Sequence, residues 1–165
     1  MVYLLLAEGF EEIEALMPVD MLRRANIEVK IVGVGTRVVT GAHGIPVVAD
    51  FVKEEVSSFE GCEMLILPGG MPGTLNLDKS PFVDLAIREV LAHGGRLAAI
   101  CAAPLILGRR GLLQGKEAIC FPGFEKELTG ARLSEKTTVT DGNITTSASM
   151  EYALEFAKEL VRLLK

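Results

Sequence analysis

Short apolar runs alternate along the chain with stretches of helical periodicity. Val2–Leu6 is followed by amphipathic Glu11–Arg24 and then by Ile27–Val34, and further on come Met64–Leu67, Pro81–Ala92 and Leu97–Ile100. This alternation predicts an α/β protein with a mainly parallel sheet and covering helices. Met64–Leu67 and Leu97–Ile100 are apolar at every position, as a strand covered on both faces requires, so both are placed in the middle of the sheet. Val38–Val48, with Gly41, His43, Gly44 and Pro46 inside it, reads as a hairpin excursion. Asp141-Gly142-Asn143 marks a second tight reversal between Thr137–Thr140 and Ile144–Ser147. The last segment, Glu151–Leu164, carries Ala153, Leu154, Ala157, Val161 and Leu164 on one broad helical face.

Composition narrows the class. A chain of 165 residues with 49% hydrophobic content can bury a core without disulfides or structural metal, and residues 1–165 read as one domain. With 17 basic and 22 acidic side chains, a formal charge of −5 and no basic run, nothing marks a surface for nucleic acid or anionic membrane. Met1–Leu6 has no basic segment before it, and Glu8, Glu11, Glu12 and Glu14 follow it, so it reads as a strand and not as a leader. No apolar stretch approaches the roughly 20 residues of a membrane-spanning helix. Cys62, Cys101 and Cys120 form no CxxC pair, which argues against a disulfide framework and a zinc site and for a reducing, cytoplasmic setting.

In an open parallel sheet, ligands gather at the carboxyl ends of the strands. Three turns there carry unusual residues: Ala7-Glu8-Gly9-Phe10-Glu11-Glu12-Ile13-Glu14, Leu67-Pro68-Gly69-Gly70-Met71-Pro72-Gly73, and Ala98-Ala99-Ile100-Cys101-Ala102-Ala103-Pro104. In the third, a thiol ends a buried strand and Pro104 opens a helix, so Cys101 sits at the apex of a sharp turn resembling a nucleophile elbow. A thiol at a helix N-terminus is expected to have a lowered pKa. A small buried hydrophobe is the alternative reading of the same residue. Gly69 and Gly70 let main-chain N–H groups approach a ligand, and with the Ala102 amide they could bind an oxyanion. A phosphate loop competes, but no Gly-Lys-Ser/Thr sequence follows, and Gly33 and Gly35 lack the third glycine of a dinucleotide fingerprint. Glu11, Glu12 and Glu14 fit the first turns of a helix as solvated dipole partners; beside a thiol, one of them could hold a proton for it. His93 ends a helix before Gly94, and His43 belongs to a loop, within reach of a pocket or simply at the surface.

Glu11-Glu12-Ile13-Glu14, Pro18-Val19-Asp20 with Arg23-Arg24, Leu67-Pro68-Gly69-Gly70 and Ala98-Ala99-Ile100-Cys101-Ala102-Ala103-Pro104 together resemble the DJ-1/PfpI superfamily, as a DJ-1/ThiJ-type member, over essentially the whole chain. The resemblance implies a flavodoxin-like three-layer sandwich. It also implies Cys101 as an oxidisable nucleophile, Glu14 as a protonated carboxyl on its sulfur, and Gly70 and Ala102 as oxyanion donors. It further implies a homodimer built partly on the first helix, with Glu11 and Arg24 near the boundary. Three departures stand out. Phe121, in Ala118-Ile119-Cys120-Phe121-Pro122, replaces the histidine of DJ-1-type members; Ala102 stands where PfpI-type proteases carry theirs; and Ala148-Ser149-Met150-Glu151 replaces a glycine-rich turn, with no further helix after Lys165, so that side of the pocket is expected to be more open.

The expected function is a cysteine-dependent glyoxalase III or deglycase-like activity on 2-oxoaldehydes such as methylglyoxal and glyoxal, or on their early glycation adducts. It needs no metal or organic cofactor. The alternative is a redox-sensing stress-response protein or chaperone whose Cys101 is oxidised to sulfenate or sulfinate. A flavodoxin-like binding domain without chemistry is the third reading.

Overall fold

The computed structural model describes residues 1–165. In chain order the elements are β1 (Val2–Leu6), α1 (Glu12–Arg24), β2 (Val29–Gly33), β3 (Val38–Thr40), β4 (Pro46–Val48), β5 (Phe51–Val52), β6 (Met64–Leu67), α2 (Gly73–Asp78), α3 (Pro81–Ala92), β7 (Arg96–Ile100), α4 (Pro104–Arg109), β8 (Glu117–Ala118), β9 (Arg132–Leu133), β10 (Thr138–Asp141), β11 (Ile144–Ser147) and α5 (Ala153–Leu164). Seven strands form one sheet in the order β10-β11-β7-β6-β1-β2-β5, parallel throughout except for β10 against β11.

Strand alternation divides the core. Val2, Leu4 and Leu6 of β1 point into one apolar cluster, shared with Ala15, Val19 and Leu22 of α1 and Phe156 and Leu160 of α5. Tyr3 and Leu5 point into the other, shared with Val83, Ala86 and Val90 of α3 and Leu105, Ile106 and Leu107 of α4. The result is the three-layer α/β arrangement expected from the pattern, with β6 and β7 buried on both faces at mid-sheet. No helix is long and apolar enough to cross a membrane.

Both predicted reversals are present. Val38–Thr40 pairs antiparallel with Pro46–Val48, and Asp141 sits opposite Ile144 across a two-residue turn whose Gly142 has φ +63°. The first hairpin leans on the β1–α1 turn: Gly9 N–H donates to Thr40 O at 2.9 Å and Ala42 N–H to Phe10 O at 2.8 Å. Since β1, β6 and β7 are neighbours, the three turns that follow them meet at one place on the sheet's carboxyl edge.

Candidate active site

Cys101 follows directly on β7 with φ +65°, a left-handed conformation that a residue with a Cβ adopts at a cost of about 1–3 kcal/mol. Two main-chain bonds hold it there: Cys101 N–H donates to Ser147 O at 2.9 Å, and Cys101 O accepts from Phe121 N–H at 2.7 Å. Ser147 closes the neighbouring strand β11, and it was not singled out from the sequence. The strand-end rule that pointed to the other turns would also have found it. The sulfur's residue remains partly exposed, whereas Ala102 and Ala103 behind it are buried.

Glu14 approaches from the first turn of α1. Glu11 caps this helix, its Oε2 accepting from Glu14 N–H at 2.8 Å. Glu11 N–H donates to Gly69 O at 2.9 Å, and Gly69 N–H donates to Glu14 Oε2 at 2.9 Å, so the helix start and the β6 turn are locked together by reciprocal bonds. A Cβ on Gly69 would meet both Glu14 Oε2 at 2.5 Å and Cys101 Cβ at 2.7 Å. The missing side chain is what lets carboxyl and thiol share this corner. Glu14 is 1% exposed, and its Oε1 has no hydrogen-bond partner; the carboxyl has the Cys101 thiol as a polar neighbour.

The electrostatics correct one expectation. Burial, followed by the Glu14 charge and hydrogen bond, pushes the Cys101 thiol up to about 12, against the smaller lowering by the Ala102 and Gly70 N–H groups. The lowered pKa expected at a helix N-terminus is not found, because burial desolvates the sulfur and the Glu14 carboxyl stands beside it. Glu14 itself is raised to about 7, burial first and the Glu11 charge next, opposed by its bonds with Cys101 and Gly69 N–H. Two coupled acids thus titrate as a pair, and a thiolate becomes favourable only when the proton rests on Glu14.

The other expected residues separate. Gly70, at φ +92°, and Ala102 turn their N–H groups toward the sulfur. Gly69 does not join them as an oxyanion donor, because Glu14 already takes its N–H. Phe121 meets Cys101 through its main chain, and the residue is 42% exposed with its ring against Phe124. His43 turns away, its Nδ1 2.9 Å from Glu12 Oε2 and its N–H donating to Glu12 Oε1 at 2.7 Å. This pairing raises His43. Burial alone would raise Glu12, but the bonds from the His43 ring and from main-chain N–H groups outweigh it and lower the carboxyl. Glu11, Glu12 and His43 each place one potential metal-ligating atom within 4.8 Å of the others, although Glu12 is already occupied by these bonds. Arg24 is at the far end of α1, paired with Asp20 at 2.8 Å. Cys62 and Cys120 are buried and, chiefly for that reason, raised to about 11 and about 12.

The chain matches the model of the DJ-1/PfpI family over residues 1–163. It is 34% identical over 163 residues to protein dj-1beta of Drosophila melanogaster, covering 94% of this chain and 87% of that one. With a deglycase of Pyrococcus abyssi it shares 32% identity over 167 residues, 99% of each chain. The solved structure of oxidized DJ-1 from Toxoplasma gondii superposes with a TM-score of 0.93 at 34% identity, covering 99% of this chain and 89% of that one.

Proposed function

The chain belongs to the DJ-1/PfpI family, and from that premise we propose that it is a cysteine-dependent glyoxalase or deglycase acting on small 2-oxoaldehydes or their early adducts. The observation that carries this reading is Glu14: a buried carboxyl beside the Cys101 thiol, with Oε2 tied to Gly69 and Oε1 left without a hydrogen-bond partner. A base held near neutrality against a thiol is what internal proton transfer on a 2-oxoaldehyde requires.

The reaction starts from thiol and carboxylate. Cys101 Sγ bonds to the aldehyde carbon while its proton passes to Glu14. The carbonyl pair becomes an alkoxide held by the Gly70 and Ala102 N–H groups, and Glu14 returns the proton to give a hemithioacetal. Glu14 then removes the hydrogen on that carbon and returns it to the adjacent carbon, while the hydroxyl proton of the hemithioacetal passes to the adjacent oxygen. The first carbon is thereby oxidised to a thioester and the second reduced to an alcohol, with no external oxidant. Water releases the hydroxy acid and restores the thiol. Glu14 serves at every transfer, so Phe121 in place of a histidine leaves no step without a carrier.

Lactate formation from methylglyoxal without glutathione tests this. We expect Cys101-dependent lactate, with kcat rising as pH passes through about 7, where Glu14 becomes a carboxylate. Methylglyoxal loss without lactate, or a rate falling through that range, would overturn the assignment.

The second reading, oxidation of Cys101, is favoured by the same two N–H groups, which suit the oxygens of a sulfinate, and by the oxidized state of the Toxoplasma gondii relative. Peroxide adding one or two oxygens to Cys101 in a protein that makes no lactate would support it.

For the assembly we infer a homodimer. Ile13 and Ile45 are 45% and 51% exposed and, with Leu16 and Met17, line an open apolar depression on α1, a face suited to a second copy. Sedimentation is expected to give a dimer that Ile13→Glu dissociates; a monomeric wild type would refute this.

A further inference from the structure

A second cavity of about 560 Å³ lies at the carboxyl ends of β1 and β2, on the α3 side of the sheet, and none of Glu14, Gly69, Gly70, Cys101 and Ala102 lines it. It is of the size that holds a small metabolite. Its floor is apolar, from Ala7, Val34 and Val39, and its rim carries the side chains of Lys53 and Lys79.

Ser80 is the decisive residue. It precedes Pro81, the first residue of the 12-residue helix α3, where a serine hydroxyl ordinarily accepts from a free N–H of the first turn. Here it makes no such bond. The residue is only 7% exposed, its hydroxyl has no hydrogen-bond partner, and it lines the cavity. A serine that is itself buried, makes no cap bond and opens onto the cavity at the positive end of a helix, with two cations on the same cavity, is the donor set for a bound anion. The carboxylate on the wall, Glu8, is turned to another partner: its Oε1 accepts from Thr40 N–H at 3.1 Å. Lys79 takes part in no ion pair, and Lys53 has only Glu54, at 3.9 Å, as a partner.

We propose that this cavity binds the phosphate monoester of a small polar molecule. The phosphate rests on Ser80 Oγ, the start of α3, Lys53 and Lys79, and the carbon skeleton lies over Val34 and Val39. The site is independent of the thiol chemistry.

The test is amide-resolved NMR titration of the full-length protein with inorganic phosphate and, separately, with ribose 5-phosphate. Saturable shifts centred on Ser80 and its α3 neighbours are expected, with a Kd on the order of 1 mM for phosphate and tighter binding of the ester. Lys53→Ala with Lys79→Ala should weaken both by roughly tenfold or more. Ser80→Ala should weaken both without altering the spectrum elsewhere, and Cys101→Ser should change neither. No saturable shift with either probe, or shifts indifferent to the lysine pair, would overturn the site. Ribose 5-phosphate binding no tighter than phosphate would overturn the ester assignment.

Discussion

Cys101→Ser is expected to lower lactate formation by roughly 10³-fold or more, while leaving the fold unchanged. Serine nearly matches cysteine in size and can adopt the same φ of +65°, and the two main-chain bonds to Ser147 and Phe121 do not involve the side chain. The nucleophile is what changes, since a hydroxyl holds its proton far more tightly than a thiol and Glu14 is the only base against it. Cys62→Ser is the matched control. That thiol is 3% exposed and its Sγ donates to Met64 O at 3.2 Å, so turnover should stay at wild-type level. A Cys101→Ser protein retaining turnover within about tenfold of wild type would remove the thiol from the mechanism.

Glu14→Gln should act in two opposite directions. Turnover is expected to fall by about 10² or more, because the amide cannot carry the proton. Stability is expected to rise at alkaline pH. The folded carboxyl titrates at about 7 against 4.5 for an ordinary glutamate, so between these values the native state binds more protons than the unfolded chain. Stability is therefore fully present below the unfolded value and is lost as pH rises through the folded one, a displacement corresponding to about 3 kcal/mol. The glutamine side chain escapes this loss and still offers an oxygen to the Gly69 N–H. Denaturant unfolding should thus show the variant more stable than wild type by roughly 2–3 kcal/mol at pH 9, with the gap closing by pH 5. A constant difference between the two proteins across that range would mean that the carboxyl is not titrating out of a buried site.

Much of this was legible in local patterns. The continuous apolar runs of β6 and β7 fixed their central place because only a strand covered on both faces tolerates such a sequence. Glycine placement disclosed both hairpins, and Ala-Ile-Cys-Ala-Ala-Pro disclosed the sharp turn, since the chain must leave a buried strand and open a helix within a few residues. Other elements escaped. α2 is six residues long and contains glycine and asparagine, and its start is held by Gly73 N–H to Gly9 O at 3.1 Å and Thr74 N–H to Gly70 O at 2.9 Å. Contacts with a distant turn, rather than propensity, form it. The paired strands β8 and β9, two residues each, are likewise products of packing.

The sequence by itself determined the layer order, the strand ends at which chemistry would gather, and the residue types placed there, because periodicity and turn chemistry are local. Tertiary structure alone decided what those groups became. Gly69 N–H meets a carboxyl 55 positions away and so is lost as an oxyanion donor. His43 pairs with Glu12 rather than with the thiol. Burial beside Glu14 raises the Cys101 pKa that a helix terminus was expected to lower. The free hydroxyl of Ser80 becomes meaningful only once Lys53 and Lys79 stand around the same cavity. Protonation and hydrogen bonding depend on desolvation and on neighbours distant in the chain, and these exist only after the chain has folded.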